Sequence, residues 1–193
     1  MPLNIVTPLS ELKKRSSSKW RRFAPDVLPM HVAEMDYDIA DTIKALLAEK
    51  IANSDLGYTG PVPEVAEGFV KFASQRWGWQ VDTKQVRLST DVGVSAVEIL
   101  RALGKHGEKV VINSPVYSSF FDWIPEVGLE IHDVPLVPAE ETWNLDLASL
   151  EAAFKAGAKF YLICHPHNPI GKVFCGGKNQ NFAHAFIFFQ QKF

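Results

Sequence analysis

An α/β fold, with an open and largely parallel sheet flanked by helices, is what this sequence predicts, and three observations carry that prediction. From Gln85 onward, short apolar runs alternate with segments of helical period. Parallel pairing requires that alternation, because a parallel strand can be reached only through a crossover. The strand-ending loops 89–95, 113–119 and 165–171 concentrate Gly, Pro, Ser and Asn, as loops that present side chains beyond a buried strand do. The chain has 193 residues, 47% hydrophobic and 22% charged, which is enough for one sizeable core and argues against disorder.

The elements follow in order. The segment up to Arg22 is polar and basic and contains Ser16-Ser17-Ser18, which predicts a mobile or partner-embracing arm. Asp38 is placed to cap a helix whose apolar residues Ile39, Ile43, Leu46, Leu47 and Ile51 keep the helical period, ending near Asn53. The loop Gly57-Tyr58-Thr59-Gly60-Pro61 leads to a second amphipathic helix with an inner stripe of Val65, Phe69, Phe72 and Ala73, stopped by Gly78. Core packing accounts for both stripes without a ligand. Strands are then expected at 86–89, 109–112, 130–134 and 160–164, and helices at 94–103, 118–127 and from the Asp146 cap to Phe154.

Charge and cysteine content narrow the function. The net charge is −2 with the two signs interspersed, so neither nucleic acid nor an anionic membrane is favoured as a partner. No charged start followed by an apolar block opens the chain, and no apolar run is long enough to span a bilayer, so a cytoplasmic protein is expected. Two cysteines, Cys164 and Cys175, suit a reducing compartment. Together with His165 and His167 they offer zinc-type donors, but adjacent strand residues point to opposite faces and no finger spacing is repeated. No metal is expected.

In an open parallel sheet, ligands sit beyond the carboxyl ends of the strands. The loop Ser89-Thr90-Asp91-Val92-Gly93-Val94-Ser95 runs from an expected strand into a helix start, where free N–H groups and the helix dipole can seat a phosphate. Thr90 or Asp91 can equally be a plain helix cap. Neither G-x-x-x-x-G-K-S/T nor G-x-G-x-x-G occurs. Tyr117, just past a strand end, can stack on a flat heterocycle or close the core as a lid.

Six motifs then resemble one family in its own order: Lys19-Trp20; Leu28-Pro29-Met30-His31-Val32-Ala33-Glu34-Met35-Asp36-Tyr37; Gly57-Tyr58-Thr59-Gly60; Thr90-Asp91-Val92-Gly93-Val94; Pro115-Val116-Tyr117; and His165-Pro166-His167-Asn168-Pro169-Ile170-Gly171. The chain resembles the N-terminal half of the MalY/PatB-type, cystathionine beta-lyase-like branch of the pyridoxal-phosphate (PLP)-dependent class I/II aminotransferases. The resemblance covers residues 19–174, and collinearity of six motifs is far more specific than any one of them.

That resemblance implies the PLP-dependent transferase fold type I with an incomplete large domain. Residues 1–37 would form the arm and the start of a small-domain segment, 38–174 a partial PLP-binding large domain, and 175–193 a tail unlike the family. It implies that Val92, Gly93 and Val94 hold the cofactor phosphate through backbone N–H groups and that Tyr117 stacks on the pyridine ring. Asn168 would hydrogen-bond the ring hydroxyl oxygen, and Tyr58 would reach the phosphate in the neighbouring subunit of a homodimer. Val32 and Ala33 would offer backbone contacts to the substrate carboxylate. His31, Glu34 and His165 stand where the family commonly has tryptophan, aspartate and asparagine, which bears on substrate preference.

The implied activity is β-elimination from a sulfur-containing amino acid, with an aminotransferase or a non-catalytic module pairing with an intact subunit as alternatives. No catalytic residue is assigned, because the family's Schiff-base lysine is missing. Lys19 precedes every other motif, and Lys172 and Lys178 stand in the wrong context. The chain is therefore expected to be truncated and inactive alone, its last residues arising from a frameshift, a gene-prediction break or a genuine replacement tail. Loss of the later strands and helices is expected to leave an unpaired sheet edge, and segment 182–189, with low charge, no proline and strong β preference, would promote aggregation where exposed, so poor solubility is expected.

Overall fold

The structure, a computed structural model, describes residues 6–140 and 142–174 and the backbone of Phe186–Phe189. It divides into two compact units, Met1–Pro61 and Val62–Phe193. Among the described residues no helix is long and apolar enough to cross a membrane.

The first unit holds two helical turns, α1 (Leu9–Leu12) and α2 (Ser18–Arg21), and the helix α3 (Asp41–Ala52). Its arm is anchored, contrary to the mobile arm expected from composition. Buried Lys19 donates from Nζ to the Glu34 carbonyl at 2.7 Å and to Asp36 Oδ2 at 2.9 Å. Ser17 Oγ donates to Glu34 Oε1 at 2.8 Å, and Val6 bridges Tyr37. A basic, serine-rich segment thus finds acceptors in the 34–38 stretch that composition alone does not reveal.

Asp38 does not cap α3. Ala40 occupies the cap position, and Asp38 instead accepts from Thr7 Oγ1 at 2.9 Å and Lys44 Nζ at 2.7 Å. The Lys44 hydrogen bond holds the Asp38 carboxyl below its ordinary pKa. The α3 stripe is not core either: Ile39, Ile43, Leu46, Leu47 and Ile51 are each more than half exposed. Among its described residues the unit has no named strand to cover such a face, which is the surface-to-volume problem of small units.

The second unit opens with α4 (Pro63–Trp77), which ends at Gly78 in the left-handed conformation, φ +66°. Ala73 is fully buried and Phe69 packs edge-on to Trp77 and Trp79, whereas Val65 and Phe72 stay about half exposed. Residues 86–89 form no strand: Val86 is extended, but no strand pairs with it among the described residues. The remaining elements are α5 (Val92–Leu103), β1 (Lys109–Ile112), α6 (Phe120–Glu126), β2 (Glu130–Asp133), β3 (Val137–Ala139), β4 (Thr142–Asn144), α7 (Leu147–Lys155), β5 (Phe160–Ile163) and β6 (Phe186–Phe189). Asp146 caps α7, its carboxylate accepting from Ser149 N at 3.0 Å.

The main sheet has the order β2-β1-β5-β6. β1 pairs in parallel with β2 and β5, while β6 runs antiparallel along β5, from Phe160 opposite Phe189 to Ile163 opposite Phe186. β6 therefore covers the β5 edge of the sheet. Strand alternation sorts the core into two layers. Val110, Ile112, Phe160 and Leu162 meet Leu100 of α5 and Phe120 and Ile124 of α6 on one face. Val111 meets Leu150 and Ala153 of α7 on the other, with Tyr161 packed against them. Each such apolar side chain contributes about 1.5–3 kcal/mol on burial.

Candidate functional site

Because β1 and β5 run parallel, their C-terminal ends lie on one edge of the sheet, and the loops that follow them face the start of α5. A cleft of about 680 Å³ opens there, with Val92, Gly93 and Val94 at the helix start, the Tyr117 ring, and Cys164 past β5 among its walls. Four of the sequence-assigned residues are thus brought together: Val92, Gly93, Val94 and Tyr117.

Asp91 caps α5, its Oδ1 accepting from Val94 N at 2.9 Å. Of the three amides assigned to a phosphate, Val94 is therefore engaged. Val92 and Gly93, in the first turn, have no acceptor among the described residues. A Cβ on Gly93 would lie 2.8 Å from Cζ2 of Trp123 and 3.2 Å from its Cε2, so glycine is required for the indole to pack against the helix start.

Trp123 is a site residue that sequence reading missed. Tyr117, Phe120 and Trp123 recur every third residue, and their rings form one cluster with centroids 5.6–6.1 Å apart. That spacing was the available signal. Phe120 lies at the base with 2% exposure, while Tyr117 keeps 40% of its surface open toward the cleft.

The loop bearing Tyr117 is fixed from below. Buried Asn113 donates from Nδ2 to the Val134 carbonyl at 2.8 Å and accepts from the Tyr161 hydroxyl at 2.5 Å. Burial pushes the Tyr161 hydroxyl pKa well above its ordinary value. Ser114 donates from N and Oγ to the two carboxylate oxygens of Asp133, at 3.0 and 2.6 Å.

Asn168 is exposed on the loop after β5 and is not part of the cleft wall; its N–H donates to Cys164 Sγ at 3.4 Å. Val32, Ala33 and Tyr58 belong to the first unit, where all three are exposed, Tyr58 fully. His165 Nε2 accepts from Phe174 N at 2.9 Å, so that ring nitrogen serves the fold. Among the described residues no group of three His, Cys, Asp or Glu side chains is arranged to hold a metal. Cys175 and Lys178 lie outside the described residues. Lys172 Nζ donates to Thr142 Oγ1 at 3.0 Å, and no lysine is among the residues that line the cleft.

The donor set suits PLP. A phosphate would meet two free N–H groups and the positive end of a three-turn helix, and a flat pyridine would meet an open tyrosine ring. The side chains of Asp91, Glu98 and Glu126 around the cleft add negative charge, so attraction for a phosphate rests on backbone dipoles.

Comparison with known proteins agrees. A sequence profile described as aminotransferase class I and II matches residues 25–176. A provisionally named cystathionine beta-lyase of Mycobacterium leprae is 36% identical over 181 residues, covering 89% of this chain and 44% of the relative. The cystathionine beta-lyase of Corynebacterium glutamicum is 31% identical over 166 residues, covering 86% and 44%. The crystal structure of cystalysin from Treponema denticola, which contains a pyridoxal 5'-phosphate cofactor, superposes with a TM-score of 0.77 at 27% identity, covering 84% of this chain and 44% of that one. The chain spans a little under half the length of the curated relatives it matches.

Proposed function

The chain belongs to the aminotransferase class I and II family, and from that premise we propose that it supplies the cofactor-binding part of a PLP-dependent carbon–sulfur β-lyase. PLP, when bound, supplies the electron sink that lets an amino acid lose its α proton and then its β-sulfur substituent. The protein's contribution is to bind and orient. The N–H groups of Val92 and Gly93 take the phosphate, with Val94 completing the turn. Tyr117 stacks on the ring, and Asn168 donates to the ring hydroxyl oxygen. Val32 and Ala33 offer backbone groups to the substrate carboxylate. Tyr58 reaches the phosphate of a second subunit in a homodimer, whose compartment is the cytoplasm.

The observation that carries this reading is the bare Gly93 at the start of α5, covered by Trp123 and facing the open Tyr117 ring across one cleft. The substrate class, a sulfur-containing amino acid, is supported by the relatives named as cystathionine beta-lyases. Lys19 is locked to Glu34 and Asp36, and Lys172 is bonded to Thr142. Neither amine is free to move the α proton, and no lysine is among the residues that line the cleft, which supports the reading that the 193-residue chain is inactive alone. An aminotransferase would use the same contacts and differ in its product. A non-catalytic pairing role draws support from the exposed α3 stripe.

A chimera tests the reading. Residues 25–174 replace the matching segment of the Corynebacterium glutamicum enzyme, and products from cystathionine are measured. Pyruvate with thiol release is expected; a keto acid formed only with an acceptor would favour the aminotransferase instead.

A further inference from the structure

We propose that His167 is a positioning residue that clamps the Tyr117 loop to the Asn168 loop, keeping the two ring contacts of the cofactor in mutual register. The inference rests on the reading of Tyr117 and Asn168 as those contacts.

His167 is 1% exposed, at the junction of the two loops. Its Nε2 lies 2.8 Å from the carbonyl oxygen of Pro115, two residues before Tyr117. A carbonyl can only accept, so Nε2 carries the proton and donates it. The same residue fixes its own loop. Its N–H donates to the Lys172 carbonyl at 2.8 Å, and its carbonyl accepts from Gly171 N at 2.7 Å. The ring meets Phe174 edge-on, with centroids 5.6 Å apart. Asn168 follows directly in the chain, so one ring ties the backbone beside Asn168 to the backbone beside Tyr117.

Pro115 makes this bond consequential. Its own nitrogen has no proton to donate, so its carbonyl is the hydrogen-bonding group it offers in the loop. Removing that donor forfeits the side chain–backbone hydrogen bond that joins the two loops. Losing the imidazole therefore frees the 114–118 backbone to seek another donor, and Tyr117 moves with it. The Asn113 and Ser114 anchors hold the start of the loop from the β2 side, and His167 holds it from the β5 side.

The test uses the full 193-residue chain with His167→Leu, which removes the donor, and His167→Gln, whose amide N–H can reach the same carbonyl. Two readouts are taken: hydrogen exchange of the amides at 116–120, and the induced circular dichroism of bound pyridoxine phosphate, a PLP relative without the reactive aldehyde. In the leucine variant, exchange at 116–120 accelerates at least tenfold with β1 amides unchanged, and the dichroic signal falls by at least half. Glutamine restores both. Unchanged exchange in the leucine variant, or a glutamine variant no better than leucine, overturns the clamp. Should the unaltered chain show no induced signal, the cofactor reading fails, and the exchange arm alone decides for or against the clamp.

Discussion

Gly93 and Trp123 occupy one space: a methyl group on the glycine would sit 2.8 Å from Cζ2 of the indole. The helix start stays bare because an aromatic side chain from α6 closes over it, and the same closeness forms the wall of the cleft. Access to the helix start, the proposed phosphate seat, and core packing thus meet at one residue.

Gly93→Ala forces either the indole or the α5 backbone to shift. A loss of about 1–3 kcal/mol in stability is expected, the usual range for overpacking, with at least a tenfold loss in affinity for pyridoxine phosphate. Combining it with Trp123→Leu recovers part of the stability. A double-mutant cycle in urea measures the coupling, and additive effects would show that the two side chains do not compete.

Asp91 serves the helix while opposing the ligand. Asp91→Asn keeps an acceptor for Val94 N and removes a negative charge beside the phosphate seat. Affinity should rise two- to fivefold, corresponding to about 0.5–1 kcal/mol at a helix end. Asp91→Ala loses the cap and costs about 1 kcal/mol in stability. Titration with pyridoxine phosphate and urea melts separate the two effects.

Tyr161 makes stability depend on alkaline pH. Burial raises its hydroxyl pKa above the ordinary 10.0. Below pH 10 both folded and unfolded chains keep the proton, so its contribution is fully present. Above it the unfolded chain ionises first, and stability falls by up to about 1.4 kcal/mol per pH unit until the folded hydroxyl also ionises. Tyr161→Phe flattens that decline. At neutral pH it costs about 1–2 kcal/mol, because Asn113 Oδ1 loses its donor. Urea midpoints from pH 8 to 11 for both proteins check this; parallel curves would contradict it.

Lys19→Met breaks the ion pair with Asp36 and the bond to the Glu34 carbonyl. Removing one partner of a buried pair costs about 3–5 kcal/mol, and Asp36 keeps roughly a third of its side chain in water, so about 2 kcal/mol is expected. Proteolysis between Arg22 and Met35 should accelerate. An unchanged digestion pattern would mean that the arm is held by other contacts.

The sequence made the parallel core and the cleft legible for the same reason: β1 and β5 are short apolar runs that end in loops carrying Tyr117 and Gly171. Less legible was whatever depends on partners far along the chain. Residues 86–89 have strand-forming side chains but, among the described residues, no neighbour to pair with. The β3-β4 hairpin escaped notice because Pro138 argues against a strand, although an edge position tolerates it. Asp38 sits two residues before the cap position, within reach of Thr7 and Lys44, and only the fold shows which partner it takes. Gly93 looked like a ligand contact alone; its packing role requires knowing that Trp123 lies across from it.

Amide chemical-shift mapping of the whole chain during titration with pyridoxine phosphate reads out the proposed cofactor seat residue by residue. Saturating shifts are expected at Val92, Gly93 and Tyr117 with a single affinity, and none of them in a Gly93→Ala, Tyr117→Ala double variant. Shifts clustered elsewhere, or shifts at these residues that survive the double substitution, would contradict it.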